Sequence, residues 1–218
     1  MANSPDVRSR LVLVTPAAYD LASQSGLVGE ALAGGDVASL MITPPDAADP
    51  ESLERAARAF VPIAAARGVA AVVLNDTRVA GRAGADGVHV ETGIADMRAA
   101  LDWSRGRKIV GVGNVGSRHE AMELAEAGPD YMFFGRLAGD TGDGIFPKAR
   151  ELAAWWSEVT VIPAIVMGGR ALASVDEAAS DGIEFVALAK AVWEDARGPA
   201  AAVAEAAERL AAVTESVA

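Results

Sequence analysis

Apolar residues recur along the chain in short continuous runs that do not alternate with polar residues. Such a run is typical of a parallel strand that is buried on both faces. The pattern predicts eight strands: Leu11–Thr15, Val37–Ile42, Val69–Leu74, Gly87–Val90, Ile109–Val112, Tyr131–Phe134, Val161–Val166 and Phe185–Leu188.

The segments between these runs have the length and composition of helices. They predict Leu21–Ala33, Pro50–Arg67, Val79–Ala83, Ile94–Arg105, Arg118–Ala127, Lys148–Ser157, Ser174–Ala179 and Pro199–Val213. Because strands that alternate with helices pair in parallel through right-handed crossovers, eight repeats predict a closed barrel. The predicted fold class is α/β, a single-domain (β/α)8 TIM barrel over residues 1–218. A doubly wound open sheet is the alternative, although no Gly-x-Gly-x-x-Gly follows the first strand.

Composition narrows the possible partners. The formal net charge is −11 and no Lys/Arg-rich block occurs, which argues against nucleic acid or an anionic membrane as a partner. The absence of cysteine excludes disulfides, thiolate catalysis and Cys-ligated metals. The first ten residues lack the apolar core of a signal peptide, and no apolar run is long enough to span a membrane. We therefore expect a soluble cytoplasmic protein.

Polar side chains follow the third and fourth predicted strands. The active site of a parallel barrel lies at the carboxyl ends of its strands, and Asn75, Asp76, Glu91 and Asp96 occupy such positions. Carboxylates on one rim suit Mg²⁺, which binds one or two of them and completes its shell with substrate phosphates. Asp76 or Asp96 could instead cap the helix that follows it.

An anion site is predicted at the ends of strands six to eight. Gly168 and Gly169 expose backbone N–H groups beside the strand-eight loop, which is the usual phosphate site of a barrel. Arg136, Arg170 and Lys190 lie at adjacent strand ends of this acidic protein. Any one of them could be an ordinary solvated charge, but together they favour a small phosphorylated ligand.

The two histidines are weaker candidates for chemistry. His89 lies within the fourth predicted strand, where a histidine is more often a hydrogen-bonded core residue than a base. His119 begins a predicted surface helix, and we expect it to be solvated. Neither histidine is therefore assigned a catalytic role.

Five segments of the predicted barrel carry a family resemblance. They are Leu74-Asn75-Asp76, Gly84-Ala85-Asp86-Gly87-Val88-His89-Val90, Ile109-Val110-Gly111-Val112, Asp130-Tyr131-Met132-Phe133-Phe134-Gly135 and Pro163-Ala164-Ile165-Val166-Met167-Gly168-Gly169. In this order they resemble the thiamine phosphate synthase family and its relative, the thiazole tautomerase. The resemblance implies a TIM barrel that uses Mg²⁺ to join an aminopyrimidine diphosphate to a thiazole phosphate. Pyrophosphate would leave first, and the thiazole nitrogen would capture the resulting pyrimidine carbocation.

The resemblance also implies roles for individual positions. Asn75 would contact the pyrimidine diphosphate, and Asp76 and Asp96 would hold Mg²⁺. The backbone at Gly168–Gly169 and at Ala189–Lys190 would bind the thiazole phosphate. A homodimer is a further expectation from the family.

The chain departs from the family pattern at three places. The Gln-x-Arg-x-Lys pattern of strand two is replaced by uncharged residues 39–43, and the serine after strand five by Gly113 or Asn114. The Thr-x-Thr-Lys loop after strand six becomes residues 139–144, which keep Thr141 as a substrate-binding candidate and gain two acids.

The lost cations leave two hypotheses. At roughly 1.5–3 kcal/mol for each charge-assisted hydrogen bond, losing two or three would slow pyrophosphate departure by about 10³ or more. The first hypothesis is a synthase-type transferase that is weak or altered in substrate. The second is a non-catalytic paralogue that binds a small phosphorylated ligand or a partner protein.

Overall fold

Eight parallel strands close into a barrel in the computed structural model, which describes residues 9–217 except for the side chains of 214–217. The strands are β1 (Arg10–Val14), β2 (Val37–Ile42), β3 (Ala70–Leu74), β4 (Gly87–Val90), β5 (Ile109–Val112), β6 (Tyr131–Phe134), β7 (Ala164–Met167) and β8 (Phe185–Leu188). Each strand pairs with the next, and β1 pairs with β8. The predicted TIM barrel is confirmed. Its span of residues 1–218 stays a prediction, because the chain ends lie outside the described residues.

Helices follow the strands and cover the outside of the barrel. They are α1 (Leu21–Ala31), α2 (Ser52–Ala65), α3 (Thr77–Ala83), α4 (Ile94–Ser104), α5 (Arg118–Ala125), α6 (Pro147–Val159), α7 (Ser174–Ser180), α8 (Lys190–Trp193) and α9 (Pro199–Val217). The sequence pattern does not predict α8, because a single turn is too short to show helical periodicity. None of the described helices is long and apolar enough to cross a membrane.

The predicted start of the seventh strand is wrong. Val161 is 99% exposed, and β7 begins only at Ala164. The indole N–H of Trp156 donates to the carbonyl of Ile162 at 2.8 Å, which holds the preceding residues against α6. Pro163 bonds to β6 through its carbonyl alone, which accepts the Met132 N–H at 2.9 Å, because proline has no N–H to donate.

Apolar side chains form two clusters that follow the alternation along each strand. On β1, Leu11 and Leu13 belong to the outer cluster between barrel and helices, whereas Val12 and Val14 belong to the inner one. The inner cluster fills the barrel with Val12, Val14, Met41, Tyr131, Phe133, Ile165, Met167, Ala187 and Ala189. Among the described residues the barrel interior is therefore a packed core, so we expect a ligand to bind at an end of the barrel and not inside it.

Candidate active site

His89 and Tyr131 form a hydrogen-bonded pair inside the barrel. His89 is fully buried, its Nδ1 lies 3.0 Å from the Tyr131 hydroxyl, and the rings stack with centroids 5.7 Å apart. Burial raises the pKa of Tyr131 and lowers the pKa of His89 to about 3, so both groups are neutral near pH 7. With the Tyr131 hydroxyl as the donor, the proton of the neutral imidazole resides on Nε2.

Glu91 lies next to this pair at the end of β4. Its Oε1 is 4.0 Å from His89 Nε2, a nitrogen that has no hydrogen-bond partner among the described residues. Burial raises the pKa of the Glu91 carboxyl. The backbone N–H of Glu91 donates to Asn75 Oδ1 at 2.7 Å, and Asn75 adopts a φ of 55°. This bond ties the ends of β3 and β4 together and holds Glu91 where the barrel opens.

Asp76 serves as the N-cap of α3. Its Oδ1 accepts the backbone N–H groups of Arg78 and Val79, each at 2.9 Å. Asp96 is exposed in the first turn of α4, whose N-cap is Gly93. In the part of the chain that the structure describes, no three His, Asp or Glu side chains are grouped to hold a metal ion. Capping is thus the role that the structure shows for Asp76.

The three predicted cations have different surroundings. The Arg170 guanidinium donates to Glu194 at 2.9 Å, and Lys190 Nζ lies 3.5 Å from Asp140. Arg136 is exposed and has no ion-pair partner within residues 9–213. Arg136 is therefore the cation of this set that is available to a ligand without breaking a contact.

The predicted phosphate loop is hydrogen-bonded within the chain. The Gly168 N–H donates to the carbonyl of Ala187 at 2.8 Å, and the Gly169 N–H donates to Ser174 Oγ at 3.0 Å. Both glycines are buried. Binding of a thiazole phosphate by these N–H groups stays a prediction.

A cavity of about 430 Å³ lies at the ends of β5, β6 and β7. We call it the cation cleft and define it by Asn114, Arg136, Thr141, Phe146 and Lys148, all of which line it. Lys148 lies in the first turn of α6 and, like Arg136, has no ion-pair partner among the side chains described. The Phe146 side chain is 63% exposed. The cleft therefore offers a ligand two uncompensated cations and an aromatic ring.

Comparison with known proteins places this barrel in a family. A family model described as thiamine monophosphate synthase matches residues 11–192. The chain belongs to the thiamine monophosphate synthase family. The thiamine-phosphate synthase of Rhodospirillum centenum is 35% identical over 197 residues, which cover 90% of this chain and 95% of the relative. That of Hyphomonas neptunium is 30% identical over 204 residues, which cover 91% of this chain and 92% of the relative.

Solved structures similar to this member of the thiamine monophosphate synthase family share its fold. Thiamine phosphate pyrophosphorylase from Pyrococcus furiosus aligns with a TM-score of 0.74 at 22% identity, over 97% of this chain and 98% of that one. Ribulose-1,5-bisphosphate carboxylase/oxygenase from Pyrococcus horikoshii aligns with a TM-score of 0.70 at 13% identity, over 96% of this chain and 60% of that one. At these identities the likeness concerns the barrel alone.

The structure shows what stands at two of the departures from the thiamine monophosphate synthase pattern. At the end of β2, the buried Thr43 hydroxyl lies 2.8 Å from that of Thr15, and the Tyr19 hydroxyl donates to the Thr43 carbonyl at 2.8 Å. The end of β2 therefore carries neutral, hydrogen-bonded side chains in place of charged ones. At the end of β5, a Cβ on Gly113 would lie 2.6 Å from His89 Nε2. A serine therefore does not fit at position 113 while His89 keeps its place.

Proposed function

We propose that the protein is a transferase of the thiamine-phosphate synthase type, which joins an aminopyrimidine diphosphate to a thiazole phosphate. The observation that carries the proposal is the family match over residues 11–192, which runs from β1 into α8. A purely ligand-binding role is not favoured, because relatives that align over 90% of the chain are thiamine-phosphate synthases.

In this proposal the cation cleft holds the diphosphate. The C–O bond to the diphosphate breaks and a C–N bond to the thiazole forms, so negative charge grows on the leaving group. Fixed cations at that point stabilise the transition state more than the bound substrate. Arg136 and Lys148 are suited to this role because neither has to leave another ion pair first. The exposed ring of Phe146 offers a surface on which a heterocycle can stack.

Glu91 has a complementary role in the proposed reaction. A carboxylate at the opening of the barrel favours the positive charge that develops on the pyrimidine as the diphosphate leaves. Its Oε1 lies 4.0 Å from His89 Nε2, beyond hydrogen-bond distance, so the buried imidazole lies beside the carboxyl group without bonding to it. We regard Glu91 as the residue that faces the reacting carbon and Asn75, which accepts the Glu91 N–H, as its positioning residue.

Magnesium bound by Asp76 and Asp96 stays a prediction. Asp76 lines a surface groove together with Arg55, Arg58, Arg78, Arg82, Glu51 and Glu54. The arginines outnumber the acids there, which disfavours a cation. The described residues do not form a ready magnesium site, and no step of the proposed reaction is assigned to one. A cytoplasmic location and a homodimer also stay predictions.

Removal of the cleft cations should slow the proposed reaction. We expect Lys148→Ala and Arg136→Ala each to lower kcat/KM about tenfold, and the double variant about 100-fold, since each loses a charge-assisted bond to the leaving group. Release of pyrophosphate from the aminopyrimidine diphosphate is measured with a thiazole alcohol and with its phosphate as acceptors. Arg107→Ala, in the turn before β5 at the opposite end of the barrel, is the matched control and should leave the rate unchanged.

Two results would count against the proposal. Failure of the wild-type protein to release pyrophosphate with either acceptor would overturn the transferase function, and binding of the diphosphate without turnover would favour the ligand-binding alternative. Equal rates for wild type and the double variant would remove the cation cleft from the mechanism while leaving the reaction in place.

A further inference from the structure

The loop between β5 and α5, residues 113–117, borders two cavities. On one side is the cation cleft, which Asn114 and Gly116 line. On the other side is a cavity of about 320 Å³, which Asn114 lines together with Glu91 and Glu120. Asn114 is the residue of this loop that lines both cavities. A change in the backbone of the loop therefore moves one wall of the cation cleft.

Asn114 holds a backbone conformation that few residues other than glycine adopt. Its φ is 61°, in the left-handed region, where asparagine is tolerated better than most L-residues. The residue is exposed, and its side-chain amide has no hydrogen-bond partner within residues 9–213. An amide offers two N–H donors and a carbonyl acceptor, so Asn114 brings unused hydrogen-bonding groups to the cation cleft. Such a conformation persists only where neighbouring contacts hold it.

Contacts at both ends hold this loop in place. The Gly113 N–H donates to the carbonyl of Val90 at 2.9 Å, which fixes the start of the loop on β4. The Gly116 N–H donates to Glu120 Oε2 at 2.8 Å, which fixes its end on the first turn of α5. Because glycine has the widest backbone freedom of any residue, the bond to Glu120 removes more freedom here than it would at another residue. Glu120 thus restrains the backbone two residues from Asn114.

The contact between Glu120 and Gly116 is separate from the capping of α5. Ser117 is the N-cap, and its Oγ accepts the Glu120 N–H at 3.2 Å, so the helix is capped without the Glu120 carboxylate. That carboxylate forms no ion pair among the described side chains, whereas its neighbours Arg118 and His119 lie within ion-pair distance of other acids. A carboxylate that accepts a backbone N–H forms a charge-assisted bond, which is stronger than a neutral one. The side chain of Glu120 is thus committed to the loop.

We propose that Glu120 is a positioning residue for anion binding: by holding the Gly116 N–H it keeps Asn114 in the left-handed conformation, in which the Asn114 amide donates to an anion bound in the cation cleft. That this anion is the diphosphate of the substrate rests on the proposed function; the role of Glu120 rests on the contacts of the loop. Arg136 and Lys148 supply the positive charge of the cleft. Asn114 adds a neutral donor from a different loop, which fixes the orientation of the anion.

Charge and position predict opposite effects for the loss of Glu120. The residue lies behind one wall of a cleft that is proposed to hold an anion, and removal of a nearby negative charge favours anion binding. If Glu120 acted through its charge alone, Glu120→Ala would bind an anion more tightly than wild type does. If Glu120 acts by holding the loop, the same variant binds the anion more weakly, because the Asn114 amide loses its fixed place. The direction of the change in affinity therefore separates the two explanations.

Calorimetric binding of inorganic pyrophosphate to the full chain tests this inference without any need for turnover. We expect Glu120→Ala to weaken pyrophosphate binding about fivefold, which is the loss of one hydrogen bond from a neutral donor. Glu120→Gln should bind within about twofold of wild type, because its amide oxygen can still accept the Gly116 N–H. The Gly116 amide should also exchange with solvent faster in Glu120→Ala than in wild type or in Glu120→Gln.

Two further variants locate the effect. Glu123 lies on α5 and lines the same second cavity, but its carboxylate lies beside His119 and does not accept from the loop. Glu123→Ala is therefore the matched control for charge, and it should bind pyrophosphate as tightly as wild type or slightly more tightly. Asn114→Gly keeps the backbone conformation and removes the amide. In this background Glu120→Ala should weaken binding by less than about twofold, because the side chain through which Glu120 acts is no longer present.

The outcomes separate this inference from the proposed function. The role of Glu120 is overturned if Glu120→Ala binds pyrophosphate as tightly as wild type or more tightly, if Glu120→Gln is weakened as much as Glu120→Ala, or if the loss is the same without the Asn114 amide. Wild-type protein that does not bind pyrophosphate would overturn it as well. Turnover that does not depend on Glu120 would contradict its role and leave the transferase function standing. The predicted pattern of binding in a protein without turnover would support the role of Glu120 and count against the transferase.

Discussion

Between pH 7.5 and pH 4.5 the wild-type protein should lose about 3 kcal/mol more of its free energy of unfolding than a His89→Gln variant. Burial lowers the pKa of His89 to about 3 in the folded state, whereas an unfolded histidine titrates near 6.5. Below pH 6.5 the unfolded chain therefore takes up a proton that the folded chain refuses. Stability falls as the pH falls, and the difference reaches about 4 kcal/mol near pH 3.

Urea unfolding at several pH values measures this difference, because both proteins share every other titrating group. Glu91 and Tyr131 are the titratable groups that face His89. Glu91 acts in the opposite sense, since its raised folded-state pKa makes the folded chain take up a proton first as the pH falls. If the free energies of unfolding of wild type and His89→Gln changed with pH in parallel, the pKa of His89 would not be lowered in the folded state, which would contradict the prediction. A difference in the free energy of unfolding that is the same at every pH reflects the change in packing and does not affect this test.

The fold could be predicted from the sequence because a parallel barrel buries both faces of its strands. Short apolar runs such as Gly87–Val90 and Tyr131–Phe134 have the predicted bounds in the structure. The prediction is wrong where an apolar run begins in a connection before the strand, as at Val161. Hydrophobicity alone does not show that the bond from the Trp156 indole to Ile162 holds these residues outside the sheet.

The site could be predicted only in part, because its contacts join residues that are far apart along the chain. The rule that active sites lie at the carboxyl ends of the strands identifies Asn75, Glu91 and Arg136. It does not show that the Asp140 carboxylate accepts the backbone N–H of Lys190, which lies 50 positions away. Such pairing depends on how a loop folds over a neighbouring strand end, which local propensity does not encode.

Lys148 is the functional candidate that sequence reasoning passed over. As a single cation within a predicted helix it resembles any solvated surface charge. Pro147 is the signal that could have located it, because proline is favoured at the first position of a helix and here begins α6 at the end of the strand-six loop. The fold of the loop between β6 and α6 then brings Lys148 into the same cleft as Arg136.

Gly111 is the residue that allows the His89–Tyr131 pair to exist. On β5 it lies in register with His89 of β4 on one side and with Tyr131 of β6 on the other. The two rings therefore meet across a position that has no side chain. A Cβ on Gly111 would overlap the Tyr131 ring, and the packed interior leaves that ring no free space to enter.

We expect Gly111→Ala to lower the free energy of unfolding by about 4 kcal/mol and the Tm by roughly 10 °C. Overpacking accounts for about half of the loss, and the buried His89 Nδ1, once it is left without a partner, accounts for the rest. Gly26→Ala is the matched control, since nothing lies within 4 Å of its added Cβ in α1, and helix propensity predicts equal or slightly higher stability.

A double variant tests whether the loss arises at the pair itself. If Gly111→Ala acts by displacing the Tyr131 ring from His89, then combining it with His89→Gln should destabilise the protein by clearly less than the sum of the two single effects. Thermal and urea unfolding of the four proteins in this cycle give the coupling. Strict additivity would mean that the added methyl group strains the barrel elsewhere, and a Tm for Gly111→Ala within 2 °C of wild type would contradict the tight packing of Gly111 against Tyr131.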